Sequence, residues 1–433
     1  MMRWWAAVET IEKIIRDGQK RVDEVEVCYF EGRSISADLK REKIGYATGS
    51  QSSGLSIRVI DHGMIGASST NNPEKWSECL NAAIKSANFA TPQPWGGLPA
   101  PVVMEGKPLC YDSTLELAAS TVSSLLKALI EGASHHPSSV TSGSAGLSES
   151  KSILANSNDL WYSRPTTMTS VSLETISGQS TGYEFNNSCS LDYDASAVGE
   201  KASFLASHSV NGRDISTGRY DVVLSPVAFA QLLGNVLIPA LNGRNVQAGR
   251  SRLGNMLGEG MFDPSLCFYD DPVNERGLAG ARWDAEGTPA QRVDFVKNGV
   301  VGAFAYDLKT AYRYGKKSTG NATRSGPGGA PGIGHHNFMA DGKRISVCEE
   351  RAIYVHDVVG AHTANPMSGD FSVELSNPFM VDGGSFEYPV RKAMLSGNVF
   401  DMLKEIGGLG KDDRCLGTSI LPSIRLNKQQ IIV

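Results

Sequence analysis

Hydrophobic residues recur along the first hundred residues at two spacings, one typical of helices and the other of strands. Val8 to Ile15 and Glu74 to Ala87 carry theirs on one side of an amphipathic helix, and the second helix begins at Asn72-Pro73. A stretch rich in Pro and Gly, residues 92–101, indicates a boundary. The pattern predicts an N-terminal α+β domain over residues 1–95. Its strands are predicted at residues 25–30, 34–39, 55–60 and 64–67, with turns between them.

Residues 105–215 continue with a mixture of helical and strand patterns and are predicted as a central α+β segment. Ser113-Thr-Leu-Glu116 fits a capping box, in which the Ser and Glu side chains cap the first turn, and predicts a helix to about Ala128. The Ser/Gly-rich stretch 138–152 predicts two short strands with a loop. The alternating residues from 159 to 194 predict further antiparallel strands.

A serine hydrolase motif, Gly-x-Ser-x-Gly, occurs at Gly178-Gln-Ser180-Thr-Gly182. The nucleophile elbow of those enzymes needs an apolar strand before the serine and a helix after it. The residues around Ser180 are polar and strand-forming instead. They predict a turn and not a nucleophile.

The longest hydrophobic helix pattern follows a short strand in the second half of the chain. Asp221 to Leu224 predict that strand, and Ser225-Pro226 predict a helix start with Ser as N-cap and Pro in the first turn. The helix pattern ends at Gly243, and strands and turns follow from Gly249. Residues 216–433 are therefore predicted as a β-rich C-terminal domain. The whole chain is predicted to be α+β, with an α/β-sandwich-like N-terminal domain built on an antiparallel sheet.

The composition excludes several classes of protein. The 433 residues are 41% hydrophobic and 20% charged, as in soluble globular proteins of two or three domains. A net charge of −5 argues against a general nucleic-acid binder. No apolar run approaches the ~18 residues of a membrane span, and no signal-peptide core follows the start.

The cysteines are far apart in sequence and form no Cys-x-x-Cys pair. This spacing predicts free thiols in a reducing cytoplasm. The seven residues are Cys28, Cys79, Cys110, Cys189, Cys267, Cys348 and Cys415.

The β-branched run from Tyr354 ends in a polar loop that contains Gly and Pro. Short polar side chains from Thr363 to Ser372 stabilise turns, and Gly369 allows a positive φ angle. Such a loop between apolar strands is a common place for binding groups, so we expect it to line a substrate or partner cleft. The alternative is a hairpin turn that serves folding only. The predicted cleft residues are His362, Thr363, Asn365, Ser368, Gly369, Asp370, Phe371 and Ser372.

Residues 318–337 contain eight glycines and prolines but lack the Gly-Lys-Ser/Thr ending of a phosphate-binding loop. We predict a flexible surface loop, with a lid over a cleft as the alternative. Asp270-Asp271, Asp284 and Glu286 are predicted to hydrogen-bond in turns, with paired catalytic carboxylates as the alternative.

Residues that could bind a metal are scattered, and we predict no metal site in this chain. The adjacent His335 and His336 would point to opposite faces of a strand. His356 and His362 could converge, but nothing in the sequence holds them together. The other candidate ligands are Cys267, Cys415, Glu259, Asp270, Asp271 and Asp370.

Seven short motifs follow one another in the second half of the chain. They are Leu253-Gly-Asn-Met-Leu-Gly258-Glu, Asp270-Asp-Pro272, Asp284-Ala-Glu286-Gly-Thr-Pro, Val296-Lys-Asn298-Gly-Val-Val-Gly302, Asp307-Leu-Lys-Thr-Ala-Tyr312, Ser318-Thr-Gly320-Asn-Ala-Thr-Arg324 and Ser368-Gly-Asp-Phe-Ser372. In this order they resemble the TldD/PmbA family, and its PmbA (TldE) branch in particular. The resemblance covers nearly the whole chain.

In the TldD branch, the helix after the Ser225-Pro226 position carries a His-Glu-x-x-x-His motif that binds zinc and supplies the general base. The corresponding residues here are Gly234, Asn235 and Pro239, and none of them can coordinate zinc. Cys415 lies near the place of a Cys ligand in the TldD branch and would be a lone thiol. The resemblance thus implies that this chain has no zinc and no catalytic residue of its own.

The resemblance implies a non-catalytic subunit of a metallopeptidase. A TldD-like partner would bring the zinc, and the pair would cleave unfolded or extended peptides held by β-strand addition between the subunits. The family was first named as a modulator of DNA gyrase, but the acidic charge gives no sign of DNA contact. In isolation the chain could form a homodimer. The alternatives are an autonomous hydrolase with an unfamiliar site and a peptide-binding scaffold without activity.

Overall fold

The first half of the chain forms one six-stranded antiparallel sheet, in a computed structural model that describes residues 4–326 and 328–433. The strands are β1 (Glu24–Lys40), β2 (Lys43–Asp61), β3 (Met64–Thr70), β4 (Ser139–Asn156), β5 (Trp161–Ser177) and β6 (Ser180–Ser188). The helices are α1 (Trp4–Gly18), α2 (Trp76–Asn88), α3 (Ala119–Ala133) and α4 (Ala195–His208), with a 3₁₀ turn at Pro73–Lys75. The strand order is β3-β2-β1-β4-β5-β6, so the first two predicted segments share a sheet.

The side chains of β1 alternate between two environments, because successive residues of a strand point to opposite faces. Val25, Val27 and Tyr29 are buried in a core with α1 and α2. Glu26 and Cys28 point to the other face, which lies against the C-terminal half. One face of the sheet therefore carries helices, and the other faces the rest of the protein.

Three strands are longer than the sequence predicts. β1 continues through Glu31-Gly-Arg, where a turn was predicted. β2 begins at Lys43 and runs through the Gly/Ser-rich stretch that follows. β4 is a single strand where two were expected. Small hydroxyl side chains pair across these strands, as the 2.8 Å contact between Ser34 and Ser50 illustrates. Such pairs sustain strand pairing where the local propensity is weak. The turns predicted at these places are wrong.

Helix α3 begins at Ala119 and not at the predicted capping box. Asp112 accepts hydrogen bonds from the N–H and the hydroxyl of Thr114, at 2.9 and 2.6 Å. These bonds hold the predicted box in a turn, and Ala118 precedes the helix without a side-chain cap. The start predicted at Asn72 is correct, because its Oδ1 accepts the N–H of Glu74 at 3.0 Å.

The second half of the chain is β-rich, as predicted. Its strands are β7 (Gly218–Leu224), β8 (Cys267–Asp270), β9 (Val293–Lys297), β10 (Val300–Val301), β11 (Ala322–Arg324), β12 (Pro331–Ile333), β13 (Phe338–Asp341), β14 (Ala352–Val359), β15 (Asp370–Asp382), β16 (Ser385–Pro389), β17 (Met394–Asn398), β18 (Ile406–Leu409), β19 (Arg414–Leu416), β20 (Ser419–Leu421) and β21 (Ile424–Ile432). Its helices are α5 (Pro226–Asn235), α6 (Leu237–Leu241), α7 (Gly243–Gln247), α8 (Leu308–Arg313) and α9 (Val399–Met402), with a 3₁₀ turn at Ala361–Thr363. Among the described residues, no helix is long and apolar enough to span a membrane.

Five strands of this half close into a ring. β14, β7, β21, β17 and β15 are hydrogen-bonded in succession, and β15 pairs back with β14. β7 and β14 are parallel, and the other pairs of the ring are antiparallel. A second sheet has the order β10-β9-β8-β13-β20-β19. Helices α5 and α6 are buried in the large core that joins the ring to this second sheet.

The helix predicted from Ser225 to Gly243 is interrupted. Ser225 caps α5 as predicted, with its Oγ accepting the N–H groups of the second and third helical residues. α5 ends at Asn235, and Val236 has φ −125° and ψ −61°, outside helical geometry. Pro239 has no N–H to donate to the Asn235 carbonyl, so an uninterrupted helix would lack that bond.

The Gly-rich segment 318–337 is not a simple surface loop. It contains the β11–β12 hairpin, and both Asn321 and Asn337 at its base are fully buried. The Asp270 carboxylate accepts the Asn321 side-chain amide and the Asn337 N–H, both at 2.7 Å. One buried acid therefore fixes both ends of the segment, and the prediction of a flexible loop is wrong at its base.

Two arginines and two glutamates join the N-terminal sheet to the C-terminal half. Arg58 of β2 lies between Glu26 and Glu286, with N–O distances of 2.6 and 2.5 Å. Arg324 of β11 pairs with the other oxygen of Glu26. Glu286 also accepts the N–H of Leu308 at 2.7 Å. Arg58, Glu26 and Glu286 are buried and the Arg324 side chain is only 10% exposed, so each charge needs the others for compensation.

The prediction of seven free thiols is wrong for two of them, since Cys110 and Cys189 form a disulfide. Thr167 of β5 brings the two segments together, because its N–H donates to the Cys110 carbonyl and its hydroxyl to the Cys189 carbonyl. The two cysteines are 79 residues apart, so the local sequence around either one does not indicate that they pair. The cytoplasmic location stays a prediction.

Replacing Arg58 with Met would leave Glu286 buried without its cation. We expect the free energy of unfolding to fall by about 3–5 kcal/mol, measured by chemical denaturation. Arg33→Met is the matched control, because Arg33 lies on the neighbouring strand and its pair with Glu149 is exposed. It should cost only about 0–1 kcal/mol. Equal losses in the two variants would contradict a stabilising role for the buried network.

Candidate functional site

The end of helix α5 carries Gly234 and Asn235, two of the three residues that the resemblance aligns with the zinc motif of the TldD branch. Gly234 is exposed, and apart from its chain neighbours and its own helix backbone, no atom of the described residues lies within 4 Å of the position that a Cβ would take there. The Asn235 side-chain amide donates to the Gln231 carbonyl at 2.8 Å. Pro239 lies in α6, and its carbonyl accepts the side-chain amide of Asn245 at 2.9 Å.

These residues do not fit a zinc ion. Zinc in proteins is held by Cys, His or carboxylate side chains. Gly234 and Pro239 have no donor atom in their side chains, and the Asn235 amide is used within the helix. The break at Val236 also places the first and last positions of the motif in two different helices.

Cys415 lies on β19, which packs beside α5. Its thiol donates to the Arg276 carbonyl at 2.9 Å, and burial raises the pKa of this thiol. A metal binds the thiolate form. Cys415 is therefore a protonated, hydrogen-bonded side chain.

A polar surface surrounds the exposed edge of α5. The Gln231 side chain donates to Asp357 of β14 at 2.7 Å, and burial raises the pKa of Asp357. The 3₁₀ turn Ala361–Thr363 packs against the same helix. The loop predicted from sequence as a cleft thus begins beside the helix that carries the zinc motif in the TldD branch.

Asp370 organises that loop. Its carboxylate accepts the side-chain amide of Asn398 at 2.8 Å and the hydroxyl of Ser368 at 2.7 Å, and these bonds lower its pKa. Arg252 donates to the Ser368 carbonyl at 3.0 Å. Because Arg252 directly precedes the first sequence motif, the first and last motifs meet here. Local sequence patterns gave no signal for Arg252, Gln231 and Asp357, since their partners lie more than a hundred residues away.

The structure divides the predicted cleft residues into two groups. Gly369 and Phe371 are buried, so the prediction that they line the cleft surface is wrong. The alternation of β15 directs Phe371 into the core, and Gly369 has φ 90° as predicted and lies close to Phe400. The exposed residues are His362, Thr363, Asn365, Asp370 and Ser372, and Ser368 is half-buried.

His356 lies in a buried polar cluster where β14 meets the N-terminal half. Its Nε2 is 3.7 Å from Glu184 of β6, and its Nδ1 is buried without a hydrogen-bond partner among the described residues. Burial lowers the pKa of His356 to about 4; Glu184 opposes this shift, while Lys201 of α4 and Arg414 of β19 add to it. The imidazole is therefore neutral at pH 7.

Of the acids singled out by sequence, Asp284 lies beside a turn, whereas Asp270 is the last residue of β8. Asp284 accepts the N–H groups of Glu286 and Thr288, at 2.9 and 3.0 Å. Asp270 accepts the N–H of His336 and contacts its ring at 3.3 Å. Glu286 differs from the prediction, because its main contact is the ion pair with Arg58 described above.

The described residues contain one cluster with the geometry for a cation, and it is not among the predicted candidates. It consists of Asp23, Asp61 and His62, whose ligand atoms lie within 4.8 Å of one another. Asp61 ends β2 and His62 lies in the turn to β3, whereas Asp23 directly precedes β1 and accepts the His62 N–H at 2.7 Å. Of the predicted candidates, His335 instead contacts the Thr418 hydroxyl at 2.8 Å.

The Gly-x-Ser-x-Gly sequence forms the turn between β5 and β6, as predicted. Ser180 is the first residue of β6, and its hydroxyl donates to the Ser209 carbonyl at 2.9 Å. Its hydroxyl therefore serves as a structural contact.

Comparison with known proteins points to one family. Residues 217–432 match the PmbA/TldA metallopeptidase C-terminal domain, residues 25–87 match domain 1 and residues 112–210 match the central domain. An uncharacterized protein of Methanocaldococcus jannaschii is 31% identical over 96% of this chain and 98% of its own. The metalloprotease PmbA of Escherichia coli O157:H7 is 23% identical over 97% and 96%. The crystal structure of TldE from Thermococcus kodakarensis superposes with a TM-score of 0.90 at 25% identity, over 98% and 100% of the two chains.

The three matched domains and this superposition define a protein of the PmbA/TldD metallopeptidase type. The chain belongs to this family, and its PmbA and TldE relatives support the PmbA/TldE assignment made from the sequence motifs.

The pKa of His356 predicts a pH dependence of stability. An unfolded histidine binds its proton below about pH 6.5, whereas folded His356 binds it only near pH 4. The free energy of unfolding should therefore fall as the pH is lowered from 6.5 to 4, by up to about 1.4 kcal/mol per pH unit. His356→Gln should remove this contribution and flatten the slope. Denaturation at several pH values measures it, with the exposed His362→Gln as control; an unchanged slope in His356→Gln would contradict the assignment.

Proposed function

We propose that this chain is a non-catalytic subunit of a heteromeric zinc metallopeptidase of the TldD–TldE type, located in the cytoplasm. A TldD-like subunit supplies the zinc and the general base. This chain shapes the cleft between the subunits, in which an unfolded or extended peptide lies. The proposal assigns to this chain the positioning of substrate and not the chemistry.

The interrupted helix α5–α6 is the observation that carries the proposal. A catalytic zinc site needs about three protein ligands on a rigid element, with one position open for water or substrate. Here Gly234 and Pro239 offer no ligand atom, and the helix breaks between them. A zinc site also needs residues that hydrogen-bond to the metal ligands and fix their orientation. The neighbouring Asn235 and Gln231 bond to each other instead.

The exposed part of the predicted loop supports a role in binding. Asp370 presents a carboxylate that is already oriented by Asn398 and Ser368. Groups held in one orientation lose little entropy when they bind a peptide or a partner loop. The turn Ala361–Thr363 lies against α5, so such a ligand would pass the place of the zinc motif.

One observation favours an autonomous hydrolase as the second candidate. His356 is neutral, and its Nδ1 has no partner among the described residues. A neutral imidazole can act as a general base. It is buried between the two halves, however, so a substrate would have to enter the core to reach it.

Purification of the chain alone, and then with a TldD-like subunit, tests the proposal. Alone, it should contain no stoichiometric zinc by elemental analysis and should cleave no peptide. Together, the two should elute as one heteromer and hydrolyse an unfolded peptide. About one zinc per isolated chain, lost in His356→Ala, would establish the hydrolase instead. A heteromer without hydrolysis would point to a scaffold.

Restoring the three motif residues should not create an enzyme. The variant Gly234→His, Asn235→Glu, Pro239→His lacks the other ligands and the groups that orient them. We expect neither zinc binding nor hydrolysis by the isolated variant. Gly234→Ala with Pro239→Ala is the control for changes in helix geometry. Zinc-dependent hydrolysis by the triple variant would mean that the supporting residues are present after all.

Asp370→Ala should lower peptide cleavage by the assembled heteromer by ~10-fold, because one oriented contact with peptide or partner is lost. Its melting temperature and heteromer formation should change little, since the carboxylate is exposed. Glu374→Ala, which removes an exposed carboxylate of the same strand outside the predicted loop, is the control. If Asp370→Ala unfolds, or is folded and fully active, the loop is a structural turn only.

A further inference from the structure

A cleft separates the outward face of the N-terminal sheet from the loops of the C-terminal half. Its volume is about 440 Å³, within the range of small-ligand sites. Phe30, Leu154 and Trp283 give it apolar surface. Arg164 lies where this cleft meets a second cavity of about 220 Å³. None of these residues belongs to the surface around α5.

The guanidinium of Arg164 on β5 has a hydrogen-bond partner for only part of its N–H groups. Its Nη2 donates to the Gly280 carbonyl at 2.7 Å, while its Nε is buried and has no hydrogen-bond partner in the part of the chain that the structure describes. No carboxylate among the described residues forms an ion pair with it, in contrast to the buried Arg58. Burial lowers the pKa of Arg164, and no acid offsets this effect. Arg164 is half-buried, and a partly desolvated cation without a counter-charge is unfavourable unless a ligand supplies one.

The rest of the cleft wall favours an anion. Lys151 and Arg324 also line it, although the charge of Arg324 is paired with Glu26, and Asp284 is the one acid among the described lining residues. Burial and the charge of Glu286 raise the pKa of Asp284, while the backbone N–H groups that its carboxylate accepts oppose this shift. A carboxylate that enters the cleft therefore meets the positive charge of Arg164, which no acid of the described residues pairs.

We propose that this cleft binds the C-terminal carboxylate of a peptide, with Arg164 as its anchor. A guanidinium presents its N–H groups in a planar fork that matches the two oxygens of a carboxylate. The apolar wall formed by Phe30, Leu154 and Trp283 receives the last side chain of the peptide. The choice of a peptide rests on the proposed function, whereas the need for an oxyanion rests on Arg164 itself.

Calorimetry on the isolated wild-type chain tests the ligand class. The probes are acetyl-Ala-Ala-Phe with a free carboxylate, the same peptide as its C-terminal amide, and inorganic phosphate. The free acid should bind at least ~10-fold more tightly than the amide or phosphate, as expected for charge-assisted hydrogen bonds in a half-buried site. Equal affinity for acid and amide would overturn the proposal. Tighter binding of phosphate would replace the peptide with an inorganic anion.

Ser152 provides a sharp second test, because it lies directly opposite Arg164 in the pairing of β4 with β5. Opposed residues share a face of the sheet, so Ser152→Asp places a carboxylate beside the guanidinium. This variant should lose peptide binding and gain melting temperature, since it supplies the missing counter-charge. Arg164→Gln should lose at least ~10-fold in affinity.

Arg33→Gln, on the helix-covered face of the same sheet, is the control and should bind like the wild type. Wild-type affinity in either Ser152→Asp or Arg164→Gln would contradict the role of Arg164. Because binding is measured on the isolated chain, its failure leaves the proposed subunit role standing. Failure to form a heteromer would likewise leave the binding result intact.

Discussion

The placement of Arg58 between Glu26 and Glu286 is the interaction on which the relation of the two halves depends. A buried glutamate is costly unless a cation lies beside it, and these two glutamates come from opposite sides of the interface. Arg58 compensates both only when the N-terminal sheet and the C-terminal half are in register. Arg324 ties the β11–β12 hairpin to the same charges, so this network also positions the hairpin.

Buried and charged contacts also give the motif residues around α5 a structural role that needs no metal ligand. Asp270 fixes both ends of the hairpin segment, and Arg252 joins the region of the first motif to the loop of the last. These contacts shape the surface beside α5 and require no zinc. In the proposed role the chain needs that shape, because a peptide held by its backbone depends on the position of the cleft walls. The ligands themselves can be supplied by the partner subunit.

Sequence patterns located the elements whose causes are local. The caps at Asn72 and Ser225 lie where predicted, because each cap bonds to N–H groups two or three residues away. The patterns failed where the deciding partner is distant, as in the long strand β4 and the Cys110–Cys189 disulfide. For the site, the loop around Asp370 was found from its turn chemistry. Its anchors on other segments were missed, because a single sequence does not tell which remote residues meet.

Two arginines on the outward face of one sheet illustrate what sequence patterns leave open. Arg58 and Arg164 both lie on β-strands. Arg58 forms ion pairs with two glutamates, whereas Arg164 donates to a backbone carbonyl and lines the cleft. The position opposite Arg164 is held by Ser152, where an acid would complete an ion pair as Glu26 does opposite Arg58. A carboxylate can therefore lie opposite an arginine on this face of the sheet, as Glu26 does, but the residue opposite Arg164 is a serine. An arginine left without its acid at the wall of a cleft loses stability that an anionic ligand can restore, which is the physical signature of a binding site.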